Sequence, residues 1–375
     1  MKVKRIEAFH VTVPLIAPYK LSKRYGTVTH AQAVITRVHT GDGLVGIGEA
    51  NPLPPFTEET WGSVFAAVEG HLGPLLLGAD PRDITALNAQ FDRALAGNLL
   101  AKGSLDVALW DLVGKSLGVP VHRLLGGALR HEIPLLWPLG SGTPAQDVER
   151  IRAKMDEGYR TFMIKMGALP IDTEIARCQA IVDSFGDTIR YNVDANQGWD
   201  LAQTLAFMDG TGGLPMDFVE QPLPRTASWG LAEVRARATH PVSADEGVQT
   251  MDDATTLAAA HAVDVFSLKI SKNGGITRTW RVGQVAAAFG IRCLMNSMIE
   301  CGVSQAAALQ VGAALPNLWD SGQCYMSTKR LQDDVTDFGT VITNAVARVP
   351  DTPGLGITLD DAKLEKYSDA SIVIE

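Results

Sequence analysis

Cysteine is scarce in this chain, with four in 375 residues, at positions 178, 293, 301 and 324. None sits in a Cys-x-x-Cys pair, which argues against a disulfide framework and against a structural zinc site. Long apolar runs are missing too: nothing approaches the ~20 residues needed to span a bilayer. The N-terminal MKVKRIEAFHVTV alternates like a strand and lacks a signal-peptide core. A cytoplasmic location with no membrane partner is therefore expected. Positive charge is in deficit, 33 Lys and Arg against 42 Asp and Glu, for a net charge of −9. That is the wrong sign for a surface that neutralises phosphates, so no nucleic-acid partner is expected. There is no Gly-x-Gly-x-x-Gly after a first strand, which weakens a doubly wound dinucleotide-binding fold. Disorder is excluded by a 46% hydrophobic composition with 20% charged residues.

What is present falls into zones. VKRIEAFHVTV and AQAVITRVHT alternate apolar and polar residues, and the turn GDG leads into LVGIGEA, so residues 1 to about 50 read as antiparallel strands. The Pro-rich NPLPPFTEET follows. From about 58 to 125 the period becomes helical: in LAKGSLDVALWDLVGKSLG one face collects Leu105, Ala108, Leu109, Leu112 and Val113, and Gly118 ends the run. These residues form an α+β module of about 125 residues. From about 133 onward short β-rich runs alternate with longer helical ones, the signature of parallel strands joined by crossover helices. Seven strands can be counted before residue 300, with room for an eighth near 318–326. Intervals of 29, 26, 25 and 24 residues separate Lys165, Asp194, Glu220, Asp245 and Lys269. A near-constant period of that size is one βα unit per step, and eight such units make a barrel.

Those five charged residues end five successive strands. Side chains on a strand alternate faces, so Met163 shares a face with Lys165, Phe218 with Glu220, Ser243 with Asp245 and Ser267 with Lys269. Inward residues at the C-terminal strand ends of a barrel line its active site. A single strand-end acid reads equally well as a helix N-cap, and a single lysine as a salt-bridge partner; five in succession point to one site. Three converging carboxylates repel one another without a cation. An all-oxygen donor set points to Mg²⁺, with Mn²⁺ as a substitute. Lysines from the strands on either side of the acids face each other across that ion. An ammonium near a dication, partly desolvated, is depressed in pKa and suits a general base. Removing a proton α to a carboxylate needs such a pairing of base and metal.

The motifs VDANQGW, VEQPL, ADEGV and LKISKNGG, with GDGLVGIGEANP, GSLDVALWDLVGKSLGVPVHRLLGG and the tail PDTPGLGI, resemble the enolase superfamily, in its muconate-lactonizing-enzyme subgroup of the mandelate racemase/muconate lactonizing enzyme family. The resemblance runs over nearly the whole chain. It implies an α/β fold, a modified (β/α)7β barrel (residues 126–349) closed by an α+β capping domain (residues 1–125, joined by a tail of about 350–375). It also implies that Asp194, Glu220 and Asp245 bind Mg²⁺, that Lys165 and Lys269 are the acid/base pair, and that Asn196 and Glu246 support the metal's ligands. No histidine lies at a recognisable strand-end motif, which argues against a His base.

The chain departs from the subgroup where Lys-x-Lys is usual: here the run is Met163-Ile164-Lys165. Muconate, a dianion, is for that reason expected to be a poor substrate. Near the eighth strand, where the family often has an acid, stands Cys324. Lys20, Lys23, Arg24 and Tyr25 on one lid loop are candidates for a second anionic group of the substrate. Phe56 is a candidate to exclude water, and Glu300 a candidate to reach the pocket. The implied activity is α-proton abstraction from a small-molecule carboxylate through a metal-stabilised enediolate. Racemisation or epimerisation, dehydration and cycloisomerisation are all open, with a small amino- or hydroxy-acid derivative as the expected substrate and a homo-oligomer as the expected assembly. The alternatives are a muconate-type cycloisomerase and, from a different class, a Schiff-base aldolase using Lys165 or Lys269 as nucleophile.

Overall fold

The computed structural model describes all 375 residues. Its N-terminal part is a four-stranded antiparallel sheet in the order Ser368–Ile374, Val3–Lys20, Thr27–Thr40, Val45–Ala50, so the two chain ends pair with each other. Along the first strand Ile6 and Ala8 are buried in one core and Val11 and Val13 in another, the parity changing at the irregularity between His10 and Val11. The helix Leu99–Leu117 crosses this sheet so closely that two strand positions have no room for a side chain. A Cβ on Gly48 would stand 1.8 Å from the Ser104 carbonyl oxygen, and one on Gly46 2.2 Å from that of Ala108.

The apolar face expected of this helix is buried, but so are Lys102, Ser104 and Asp106 on its other sides. The reason is a second layer. Asp106 accepts from the hydroxyl and the N–H of Thr277 at 2.6 and 2.9 Å, and Trp110 donates to Thr277 at 2.8 Å. These contacts fasten the helix to Ile276–Ala288 of the barrel. An element sandwiched between two layers loses the one-sided pattern that sequence reading relies on.

Seven parallel strands, Leu136–Leu139, Thr161–Lys165, Arg190–Asp194, Val219–Glu220, Val242–Ala244, Val265–Leu268 and Arg292–Met295, neighbour one another in chain order. The expected eighth strand is an irregular segment. Leu136 N–H donates to the Gln323 carbonyl at 3.0 Å and Cys324 N–H to the Met295 carbonyl at 2.9 Å, which joins the first strand to the seventh. Regular pairing there is reduced to single bridges at Leu318 and Gln323. Inside the barrel, Leu136, Met163, Phe218, Val265, Leu294 and Cys324 form a small apolar plug.

The sheet and the barrel are tied at the barrel mouth by Glu49. Its carboxylate accepts from the N–H groups of Cys301 and Ser304 at 2.8 and 2.7 Å, capping the helix Gly302–Ala314 from across the interface. The positive end of a helix dipole favours a carboxylate there.

Candidate active site

Toward the C-terminal strand ends, beyond the apolar plug, the barrel becomes polar, with Lys165 two residues past Met163 and Glu220 two past Phe218. Asp194 pairs in register with Lys165 on one side and Glu220 on the other, and Asp245 follows the end of Val242–Ala244. Asp194, Glu220 and Asp245 are fully buried, and their carboxylate oxygens lie within 4.8 Å of one another. They are not helix caps. The helices that follow are capped by other residues, Asp200 accepting from Gln203 N–H at 2.8 Å and Thr250 from Asp253 N–H at 3.1 Å.

Each acid has its own escort. Asp194 accepts from the N–H and side-chain amide of Asn196 at 2.8 and 2.9 Å and pairs with Lys165. Glu220 accepts from Ser267 at 2.6 Å and Asn296 at 2.9 Å. Asp245 is paired with Lys269 at 2.6 Å and Lys272 at 2.9 Å. The backbone that presents Lys165 is braced from behind. Fully buried Arg177 donates to the Lys165 carbonyl at 2.9 Å while pairing with Asp147 and Glu174, each at 2.6 Å.

Electrostatics follow from this crowding. Burial, with Asp194 and Asp245 alongside, drives the Glu220 carboxyl well above its ordinary range. Asp245 goes the other way, to about 2, because its two lysines overcome the cost of burial. Burial acts to depress Lys165 and Lys269, yet the carboxylates beside them, Asp194 and Asp245 foremost, outweigh it and hold both ammoniums above their usual value. Lys272, gripped by the Asp245 and Ser267 carbonyls and by the Asp245 carboxylate, is pushed down, burial being the main cause.

The donor set suits a hard divalent cation. It is all oxygen, three carboxylates face one point, and the buried Oδ1 of Asn196 and Oε2 of Glu246 have no partner within the protein. A cation there would also offset the burial and the repulsion from Asp194 and Asp245 that together raise the Glu220 carboxyl.

A cavity of about 40 Å³ adjoins this cluster, lined by Lys165, Lys269, Met163, Cys324 and the lid residues Tyr25 and Phe56. It has room for about one water. Phe56 packs over Lys269, its ring centroid 4.2 Å from the ammonium, and against Tyr25 at 5.5 Å. A larger cavity of about 720 Å³ lies outside, touching Phe56 but neither Lys165 nor Lys269, both of which line the smaller one. The chemistry belongs to the smaller one, and Phe56 forms the wall between the two.

The sequence-derived candidates are brought together unevenly. Lys165, Lys269, Asp194, Glu220, Asp245 and Asn196 converge, as do Met163, Cys324, Tyr25 and Phe56 around the cavity. Glu246 is buried beside them, its Oε1 accepting from the Tyr25 hydroxyl at 2.8 Å. Lys20 does not join them. It is exposed at the end of Val3–Lys20, because strand alternation turns Tyr19 inward and Lys20 out. Lys23 and Arg24 are exposed as well. Glu300 is buried, but its carboxylate is consumed by Ser297, the Met298 N–H and Gln305, and it does not line the cavity. Four residues of the cluster or the cavity wall are not among those candidates: Lys272, Asn296, Tyr19 and Arg330. Only Lys272 had a sequence signal, as the second lysine of LKISKNGG.

Comparison with known proteins covers the whole molecule. The family described as "Enolase C-terminal domain-like" matches residues 146–363, and the "Mandelate racemase / muconate lactonizing enzyme, N-terminal domain" matches residues 5–126. Muconate cycloisomerase 1 of Pseudomonas putida is 33% identical over 372 residues, covering 98% of each chain. N-succinyl-L-Arg/Lys racemase of Bacillus cereus is 28% identical over 370 residues, again covering 98% of each. The crystal structure of the Bacillus cereus racemase superimposes with a TM-score of 0.95 at 26% identity, covering 100% of both chains. The muconate lactonizing enzyme of Pseudomonas fluorescens, complexed with muconolactone, superimposes with a TM-score of 0.92 at 32% identity, covering 98% of this chain and 99% of that one.

Proposed function

The chain belongs to the mandelate racemase/muconate lactonizing enzyme family of the enolase superfamily, and from that premise we propose that it moves a proton at the carbon next to a substrate carboxylate, between two lysines. Its relatives are isomerases, and it is an enzyme of that superfamily. We divide it into a capping unit, residues 1–125 with the tail 350–375, and a catalytic barrel, residues 126–349.

One observation carries the reading. Lys165 and Lys269 flank the three-acid cluster from opposite sides, on the strands that bracket those bearing Asp194, Glu220 and Asp245. A divalent cation held by these acids, Mg²⁺ in our reading, supplies the positive charge that makes a proton beside a carboxylate removable. Asn196 steadies Asp194, Lys272 anchors Asp245, and the unpartnered oxygen of Glu246 is available to support the metal's ligands.

The lysines do the proton transfer. Each is fastened to a carboxylate, so each ammonium has a fixed direction. Once the carboxylate charge is matched by a cation, burial becomes the dominant influence and depresses both lysines toward the neutral form a base requires. A neutral Lys269 takes the α-proton from one face, a protonated Lys165 returns one to the other, and the configuration inverts. Phe56, stacked over Lys269, keeps water from the exchanging proton.

This favours racemisation or epimerisation of a small amino- or hydroxy-acid derivative. The test is α-proton exchange in D₂O across a carboxylate library with Mg²⁺-loaded enzyme, read by mass spectrometry; an absence of exchange with every acid would overturn it. A muconate-type cycloisomerase is the second reading, favoured by identity to the Pseudomonas putida enzyme. Schiff-base aldolase chemistry leaves the three acids without a task. We further propose a cytoplasmic homo-oligomer, whose contacts are offered by exposed Ile16, Leu129 and Trp229; light scattering decides the assembly.

A further inference from the structure

The seam where the capping unit meets the barrel carries a polar cluster with no part in the proton transfer. In the division proposed above, the chain crosses that seam twice, between residues 125 and 126 and between 349 and 350. His122 lies just before the first crossing, His131 just after it, and Asp351 just after the second. The three segments are laced together. His122 N–H donates to the Oε1 of buried Gln310 at 2.9 Å, and the Nε2 of the same glutamine donates to the Pro350 carbonyl at 3.1 Å. Val349 N–H donates to the His131 carbonyl at 2.9 Å, and Val121 N–H to that of Gly354 at 3.0 Å. The backbones that carry the two histidines and the aspartate are thereby held side by side.

The side chains leave a need unmet. His122 is 2% exposed, and neither of its ring nitrogens has a hydrogen-bond partner. A buried imidazole with both nitrogens idle is costly to keep. Its Nε2 stands 3.6 Å from the Oδ1 of Asp351, too far for a hydrogen bond. That spacing is close to the ~3.3 Å between two ligands of a tetrahedral ion with bonds of about 2.0–2.1 Å. The His131 ring lies edge-on to that of His122, with the centroids 6.5 Å apart. Two imidazoles on one such ion have centroids about 5 Å apart, so the exposed His131 side chain has to turn inward by roughly 1 Å. The competitor is Arg123, whose Nη2 donates to the two Asp351 oxygens at 3.3 and 3.5 Å from a side chain 57% exposed. An exposed pair that loose is worth little.

We propose that His122, His131 and Asp351 bind a transition-metal dication of the zinc class, with water as the fourth ligand. Two imidazoles and a carboxylate are the donor set of a borderline-soft ion, whereas the three acids in the barrel are the set of a hard one. The ion stands beside both crossings at once, so it staples the capping unit and its tail to the barrel. The site is independent of the proton-transfer reading and holds whether or not that reading survives.

The probes are Co²⁺, which absorbs visible light far more strongly in a tetrahedral site than in an octahedral one, and Zn²⁺. Each is titrated into the whole chain with Mg²⁺ in large excess to hold the acid cluster. Wild type should develop an intense visible band that saturates at one Co²⁺ per chain and is displaced by Zn²⁺. His131→Ala and Asp351→Asn, both at exposed side chains and so harmless to the fold, should each lose the band. Each should also weaken Zn²⁺ binding by at least about tenfold in calorimetry. Arg123→Gln should tighten it, because the competing cation is gone. Asp194→Asn should keep the band, since it alters only the other site. No intense band in wild type, a band that survives both His131→Ala and Asp351→Asn, or one that vanishes in Asp194→Asn overturns the proposal.

Discussion

Replacing Glu246 by glutamine tests the electrostatics of the site without touching the three acids or the two lysines. The carboxylate is buried beside Asp245; one oxygen accepts from the Tyr25 hydroxyl at 2.8 Å and the other has no partner. Burial, followed by the charges of Asp245 and Asp194, raises this carboxyl from 4.5 to about 7. An acid raised in the folded state holds its proton more tightly there than in the unfolded chain. Its contribution is therefore complete below the unfolded value and is lost as pH rises through the folded one. Integrated over that shift, the loss is about 1 kcal/mol at pH 5 and about 3 kcal/mol at pH 8. Glutamine is neutral throughout, and its carbonyl still accepts from Tyr25. Metal-free Glu246→Gln should thus gain about 2 kcal/mol more over wild type at pH 8 than at pH 5. Urea unfolding in EDTA at the two pH values measures this. An equal effect at both would mean that Glu246 is ionised like a surface carboxylate, and the reasoning from crowding would fail. With Mg²⁺ present the difference should shrink, because a neighbouring dication favours the ionised form.

Other perturbations follow from the same contacts. Asp194→Asn should weaken divalent-cation binding and abolish proton exchange; calorimetry showing unchanged cation affinity would remove Asp194 from the donor set. Met163→Lys should lower the pKa assigned to Lys165 in the pH–rate profile, since like charges disfavour protonation. It should also lower the denaturation midpoint, because it puts a cation into the fully buried apolar plug. Arg177→Met leaves Asp147 and Glu174 unpaired in the interior and should cost about 3–5 kcal/mol in denaturant unfolding. Turnover of muconate by the unaltered enzyme should stay below about 10⁴ M⁻¹s⁻¹ in kcat/KM; a higher value would favour the cycloisomerase reading.

The barrel was legible because its signal is periodic twice over. Strand alternation aligned Met163 with Lys165 and Phe218 with Glu220, and the 24–29-residue interval placed five charged strand ends in one ring. The structure sets those residues around one point, with Met163 and Phe218 in the plug below. Lys272 was passed over because its role depends on a turn: the loop after Lys269, held by Asn273 accepting from Lys269 N–H at 2.9 Å, bends it back onto Asp245. Arg330 and Tyr19 come from opposite ends of the chain and meet only through the fold. Lys20 was misplaced by a single residue of strand parity. Glu300 was misplaced because a buried acid near a pocket can spend both oxygens on its own loop, as this one does on the Met298 N–H at 2.5 Å and Gln305 at 2.7 Å. The irregular eighth segment has no alternation to read, since its pairing is reduced to single bridges.

The central claim is that two lysines work on opposite faces of one bound carboxylate, and it is tested most directly by stereospecific exchange. Each enantiomer of a chiral acid that the Mg²⁺-loaded enzyme exchanges is incubated separately in D₂O with Lys165→Ala and with Lys269→Ala, and deuterium at the α-carbon is followed by mass spectrometry. The account predicts complementary losses: each variant keeps exchange with one enantiomer and loses it, by about 10²–10⁴-fold, with the other. Undiminished exchange of both enantiomers by both variants would contradict it.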